Sequence, residues 1–119
     1  MGAQRILVVD DDPFLLEGIV RYLSPLAPVD GVGSGEEARF LVRRHSYAVA
    51  VMDVNVGKEN GIDIVLQLAA EQPSRIGAVV FHTGVVPVPE PPLGLPVPHV
   101  VVSKGDIKGL RNAVCATIA

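Results

Sequence analysis

Three carboxylates, one lysine and one hydroxyl stand where short apolar runs end, and they are the side chains with chemistry to offer. Asp10 and Asp11 follow ILVV, Asp53 follows AVAVM, Thr83 follows VVFH and Lys104 follows VVVS. Three carboxylates brought close together repel one another, and their pKa values rise unless a cation neutralises them. An all-oxygen donor set suits Mg²⁺ better than zinc. With Mg²⁺ present the set suits phosphoryl transfer. One carboxylate attacks phosphorus, the metal and the lysine offset charge on the phosphoryl oxygens, and the hydroxyl donates a hydrogen bond to one of them. Asp53 is the natural nucleophile because it stands alone at the end of the most apolar run, whereas the adjacent Asp10 and Asp11 are better placed to hold the metal.

For these five residues to meet, the runs that precede them must be neighbouring parallel strands. Ile6–Val9 reads as a first strand, and Asp12-Pro13 supplies an N-cap and an N1 proline for a helix to about Leu23. Phe14, Leu15, Ile19, Tyr22 and Leu23 are expected to form its apolar side. Val29–Val32 reads as a second strand, and Ser34 with Glu37 makes an S-x-x-E capping box opening a helix through about His45. Residues 48–52 form a continuous apolar run, as expected of a strand buried on both faces. A glycine-containing loop at 56–61, a third helix over 62–71 stopped by Pro73, a fourth strand at 78–81, a fifth at 100–102 and a last helix capped by Asp106 complete the pattern. Strands alternating with helices call for an α/β, doubly wound parallel sheet with right-handed crossovers. In such a sheet the carboxyl ends lie along one edge, where α/β folds place their sites.

The exception to the alternation is 85–98. Six of the ten prolines fall there, from Pro87 to Pro98, which removes backbone donors and clashes with helical geometry. Polyproline II or irregular loop is expected instead of a helix.

Composition narrows the reading further. The chain has 119 residues, 49% of them apolar and 19% charged, which fits one domain spanning 1–119 with a buried core. A net charge of −3 leaves no basic face for nucleic acid. No apolar run approaches the roughly 20 residues that span a bilayer, and the N-terminus lacks a signal-peptide pattern, so a cytoplasmic protein without membrane insertion is expected. The single cysteine, Cys115, excludes an internal disulfide and is expected as a buried thiol in the last helix. His45, His82 and His99 lack metal-ligand spacing and are assigned structural roles, and Arg43 and Arg44 read as a solvated helix end.

The run ILVVDDDPFLLEGI, Asp53 with Gly61 eight residues on, FHTG carrying Thr83 thirty residues after Asp53, and VVVSKG carrying Lys104 together resemble the receiver domain of bacterial two-component response regulators. The resemblance covers essentially the whole chain. It implies a flavodoxin-like five-stranded sheet of order 2-1-3-4-5, with Asp53 accepting a phosphoryl group from a histidine kinase or phosphotransfer protein. It also implies Mg²⁺ contacted by Asp11, Asp53 and the backbone carbonyl of Asn55 beside the acidic partner Asp10, with Thr83 as switch hydroxyl and Lys104 as phosphate-contacting lysine. Departures from the family pattern are equally specific. Gly57 stands where a proline is usual four residues after the phosphoacceptor, Gly105 where a proline is usual after the lysine, and Val101 where the switch aromatic is usual. The family's fourth helix falls in the proline-rich stretch 85–98, so its usual readout is expected to be replaced or distorted, with output through a downstream protein partner or a phosphorelay.

Two alternatives differ in class. A degenerate receiver would bind partners without being phosphorylated, a reading the loop departures favour and the five site residues oppose. A haloacid-dehalogenase-like phosphohydrolase would share the D-x-D of Asp10 to Asp12, but Phe14 is wrong for that motif and its later acidic pair is missing. Gly31, Gly33 and Gly35 do not fit a dinucleotide fingerprint, because the turn after the first strand is acidic instead.

Overall fold

The computed structural model describes residues 4–84 and 94–118. In chain order the elements are β1 (Ile6–Val9), α1 (Pro13–Leu23), β2 (Val29–Val32), α2 (Gly35–Val42), β3 (Val49–Asp53), β4 (Asn55–Val56), β5 (Glu59–Asn60), α3 (Gly61–Glu71), β6 (Val79–Thr83), β7 (His99–Ser103) and α4 (Ile107–Cys115). Five strands form one parallel sheet of order β2-β1-β3-β6-β7. Setting aside the short β4–β5 pair, this is the 2-1-3-4-5 order expected from the sequence.

Strand alternation divides the interior into two layers. Ile6, Val8, Val51, Val80 and Val102 turn toward α1 and α4, where Ile19, Leu23, Leu110 and Val114 meet them. Leu7, Val9, Met52 and Phe81 turn the other way, toward Ala38 of α2 and Ile64 and Leu68 of α3. Each fully buried Leu or Ile contributes about 1.5–3 kcal/mol relative to exposure, so both layers are needed to hold so small a sheet. The central strands β1, β3 and β6 are buried along their whole length, as their unbroken apolar runs require.

Local chemistry sets the boundaries. Asp12 caps α1 by accepting from the Phe14 and Leu15 amides, and Ser34 caps α2 by accepting from Glu37 N–H at 3.2 Å. Asn60 caps α3 through the Ile62 and Asp63 amides.

Several expectations need correction. Phe14 is 86% exposed, because the buried stripe of α1 runs through Leu15, Ile19 and Leu23 and Phe14 lies about 100° around the helix from it. Cys115 is exposed for the same geometric reason: Leu110 and Val114 define the buried line of α4, and the next residue turns outward. Helix α2 ends at Val42 rather than His45, although the Arg44 and His45 amides still bond the Leu41 carbonyl in a tightened last turn. The loop at 56–61 is a small antiparallel hairpin, β4–β5, and β6 and β7 run one or more residues further than their apolar cores.

The stretch 85–98, expected as a proline-rich replacement for a helix, is only partly visible, since 85–93 lie outside the described residues. Residues 94–98 are irregular, with Gly94 at φ +84°. Leu95 and Val97 return to the α2/α3 layer, and the Pro98 carbonyl accepts from Val79 N–H at 2.9 Å, which starts β7 in parallel register.

Candidate functional site

The carboxyl ends of β1, β3, β6 and β7 bring Asp10, Asp11, Asp53, Thr83 and Lys104 to one edge of the sheet. The Asp10 amide donates to the Val32 carbonyl at 3.1 Å, continuing the β1–β2 ladder by one residue and drawing Asp10 inward until it is 2% exposed. Its Oδ1 accepts from the Asp12 amide at 2.9 Å. Asp11 is exposed, and its Oδ2 accepts from Gly57 N–H at 2.9 Å. Asp53, the last residue of β3, is 7% exposed and accepts from the Asn55 amide at 3.3 Å. One oxygen from each of Asp10, Asp11 and Asp53 lies within 4.8 Å of the other two.

Lys104 is fixed by its own backbone, whose N–H donates to the Thr83 carbonyl at 2.8 Å. From there Nζ donates to Asp53 Oδ2 at 2.9 Å and stands 3.2 Å from Asp10 Oδ2. The second contact is an ion pair, and among the described residues the buried Asp10 Oδ2 has no hydrogen-bond partner. Burial works against the Lys104 ammonium, but the Asp53 hydrogen bond and the charges of Asp10 and Asp53 outweigh it and raise its pKa above the ordinary lysine value. Thr83 is buried at the end of β6, in register with Ser103 of β7.

The donor set fits a hard divalent cation. All three candidate ligands are carboxylate oxygens, one lysine pairs with two of them, and the charge left over by the cluster is about that of one Mg²⁺. The Asp10 oxygen that lacks a hydrogen bond is the kind of atom a cation would satisfy.

Two features of the site escaped sequence reasoning. His82, assigned a structural role, pairs in register with Asp53, is 2% exposed and has neither ring nitrogen hydrogen-bonded among the described residues. Burial first, then the Lys104 charge, holds its pKa below the ordinary histidine value, against opposing pulls from Asp10 and Asp53. Only strand register could have revealed this. The β4–β5 hairpin is the second feature, and its one sequence signal is Gly57 itself, at φ +61°.

A doubly wound sheet whose carboxyl edge gathers three aspartates, a threonine and a lysine defines a class of signalling domain. Residues 6–88 match the response regulator receiver domain family, and the chain belongs to it. The match removes the phosphohydrolase alternative. Among curated relatives, the regulatory protein VirG of Rhizobium rhizogenes is 35% identical over 69 residues, 57% of this chain and 29% of that protein. The alginate biosynthesis transcriptional regulatory protein AlgB of Pseudomonas aeruginosa is 29% identical over 83 residues, 68% of this chain and 18% of that protein. The chain thus spans less than a third of the length of these relatives. A receiver domain structure from Methylobacillus flagellatus shares the fold with a TM-score of 0.82 at 23% identity, covering 98% of this chain and 99% of that one.

Proposed function

We propose that this receiver domain is an active phosphoacceptor, taking a phosphoryl group on Asp53 from a histidine kinase or phosphotransfer protein in the cytoplasm and signalling through contacts with a protein partner. The observation that carries this reading is the placement of Lys104 Nζ between Asp53 and Asp10, with the Asp11 carboxylate alongside. In the transfer an Asp53 carboxylate oxygen forms a bond to phosphorus while the phosphorus–nitrogen bond of the donor phosphohistidine breaks. The imidazole nitrogen keeps that electron pair. Lys104, held charged by its carboxylate neighbours, follows the developing negative charge on the phosphoryl oxygens, and the Thr83 hydroxyl, at the same edge, donates to one of them. Asp10, Asp11, Asp53 and the Asn55 backbone carbonyl would hold Mg²⁺, which supplies charge neutralisation at the phosphoryl group. No helix among the described residues is long and apolar enough to cross a membrane.

Intact-mass measurement after incubation with Mg²⁺ and acetyl phosphate tests the proposal. A single phosphoryl adduct is expected in wild type and none in Asp53→Ala. Adduct formation that persists in Asp53→Ala, or in excess chelator, overturns it.

A further inference from the structure

Asp11 is the exposed member of the acid cluster, and an exposed aspartate left to itself samples several rotamers. Here a backbone amide holds it. Gly57 N–H donates to Asp11 Oδ2 at 2.9 Å across 46 residues of chain. The amide can point there because of the turn it occupies. Asn55 pairs with Asn60 and Val56 with Glu59, leaving Gly57-Lys58 as a two-residue hairpin loop. Among the described residues no non-glycine has positive φ, so the loop is left-handed at its first position alone, the type II′ pattern that favours glycine there. A proline at this position has no N–H to give, and its φ is locked near −65°.

The hairpin is itself anchored from α2. Arg39 donates to both carboxylate oxygens of Glu59, at 3.0 and 3.3 Å, and to Gln67 of α3 at 3.1 Å. Glu59 packs so closely on the start of α2 that a Cβ at Gly35 would stand 2.5 Å from its Oε1. On the inner side Val56 is buried in the α2/α3 layer.

We propose that the β4–β5 hairpin positions Asp11 for the divalent cation through the Gly57 amide, and that the Arg39–Glu59 pair holds the hairpin in place. Cation affinity is then set partly by a residue on the surface of α2. This rests on the assignment of Asp10, Asp11 and Asp53 as the cation site. Orienting a ligand before the ion arrives removes part of the ordering entropy of binding, and partners of this kind around metal ligands are worth about ten- to hundredfold in affinity.

The test is isothermal titration with Mg²⁺ alone, paired with the amide signal of Gly57 during the same titration. Gly57→Pro is expected to weaken Mg²⁺ binding about tenfold and Arg39→Glu about threefold. The charge swap Arg39→Glu with Glu59→Arg is expected to restore affinity, which a nonspecific loss of packing would not do. Arg44→Ala, which removes a guanidinium that donates to the Phe40 carbonyl and stacks on the Phe40 ring, should bind as wild type does. If Gly57→Pro stays folded and binds Mg²⁺ like wild type while Asp11→Ala loses binding, the hairpin has no positioning role and the cation site stands. If the swap fails to recover what the single variant lost, the Arg39–Glu59 link is overturned. If Asp11→Ala and Asp53→Asn bind Mg²⁺ unchanged, the site assignment itself falls, and the positioning role with it.

Discussion

The two ends of the sheet both carry charge, and they treat it in opposite ways. At the amino end Asp30 of β2 receives a forked contact from Arg5, with Nη2 at 3.0 and 3.1 Å and Nε at 3.3 Å, and the Tyr47 hydroxyl at 2.8 Å. One cation meets one anion, and a neutral donor completes the set. Burial alone would raise the Asp30 pKa, yet Tyr47 and Arg5 together lower it, while burial and then Asp30 raise that of Tyr47. At the carboxyl end Lys104 pairs with Asp10 and Asp53 while Asp11 lies beside them, and among the described residues neither Asp10 Oδ2 nor either nitrogen of His82 has a hydrogen bond. Buried polar groups in native proteins are almost always hydrogen-bonded, so atoms at one end that lack such bonds among the described residues are in keeping with the proposed cation site there. The amino end satisfies its charges internally, and on the proposed function the carboxyl end leaves part of its own for a ligand.

The largest expected effect comes from removing the one cation at the carboxyl end. Lys104→Met leaves Asp10 and Asp53, both nearly buried, without compensation and is expected to destabilise by about 2–3 kcal/mol, below the usual figure for a buried pair because Lys104 keeps some solvent contact. Saturating Mg²⁺ should then recover more stability in the variant than it adds to wild type. Urea midpoints with and without Mg²⁺ check both statements, and a loss under about 0.5 kcal/mol would mean that the carboxylates are already well solvated.

Next comes the frame around Asp53. A Cβ at Gly61 would collide with the Asp53 carbonyl oxygen and stand 2.9 Å from Met52 Cγ, while Gly61 N–H already donates to the Val54 carbonyl at 2.6 Å. Gly61→Ala is therefore expected to cost about 2 kcal/mol and to slow phosphoryl uptake by shifting Asp53. Normal uptake in a destabilised variant would show that the strand end yields without moving the carboxylate.

Disturbing the amino end should touch stability alone. Asp30→Ala is expected to cost about 1–2 kcal/mol and Tyr47→Phe about 1 kcal/mol, with phosphoryl uptake unchanged. Because the Asp30 pKa is lowered in the fold, its contribution is present above the ordinary carboxylate range and is lost as pH falls through the folded value. A denaturation series from neutral to acid pH should show wild type and Asp30→Ala converging. A change in Mg²⁺ affinity in Asp30→Ala would break the separation between the two ends.

How much of this was legible depends on whether a residue's role is local. Asp10, Asp53 and Lys104 announce themselves by interrupting apolar runs, and parallel topology then brings them together. The caps at Asp12 and Ser34 are likewise local signals, of two and four residues. Two-residue strands carry no periodicity, so β4–β5 could be seen only as a glycine-containing loop. Phe14 and Cys115 were misplaced because each sits one residue from a position that packs on the core, partly buried Leu15 and buried Val114, a rotation of about 100° that composition does not reveal. His82 was hidden by the strand that carries it. Both faces of β6 are buried, so no alternation distinguishes a polar residue facing the acid cluster from one facing the core.

His82 gives the smallest effect and the sharpest test of the comparison, because its sign is opposite. A buried imidazole with neither nitrogen hydrogen-bonded among the described residues carries a desolvation cost of about 1–3 kcal/mol. Leucine fills similar volume without polar atoms, so His82→Leu is expected to stabilise by about 1 kcal/mol after some loss to imperfect packing. The pH dependence follows from the direction of the shift. Since the folded pKa lies below the unfolded value of about 6.5, the unfolded chain binds a proton that the folded chain refuses as pH falls below that point. Wild type should therefore lose stability below about pH 6.5, a decline absent above it and weaker in His82→Leu. Urea midpoints measured with chelator present, so that cation binding does not enter, separate the cases. Parallel pH profiles for wild type and His82→Leu would show that the imidazole is satisfied in solution, and the carboxyl end would then be under-paired only at Asp10.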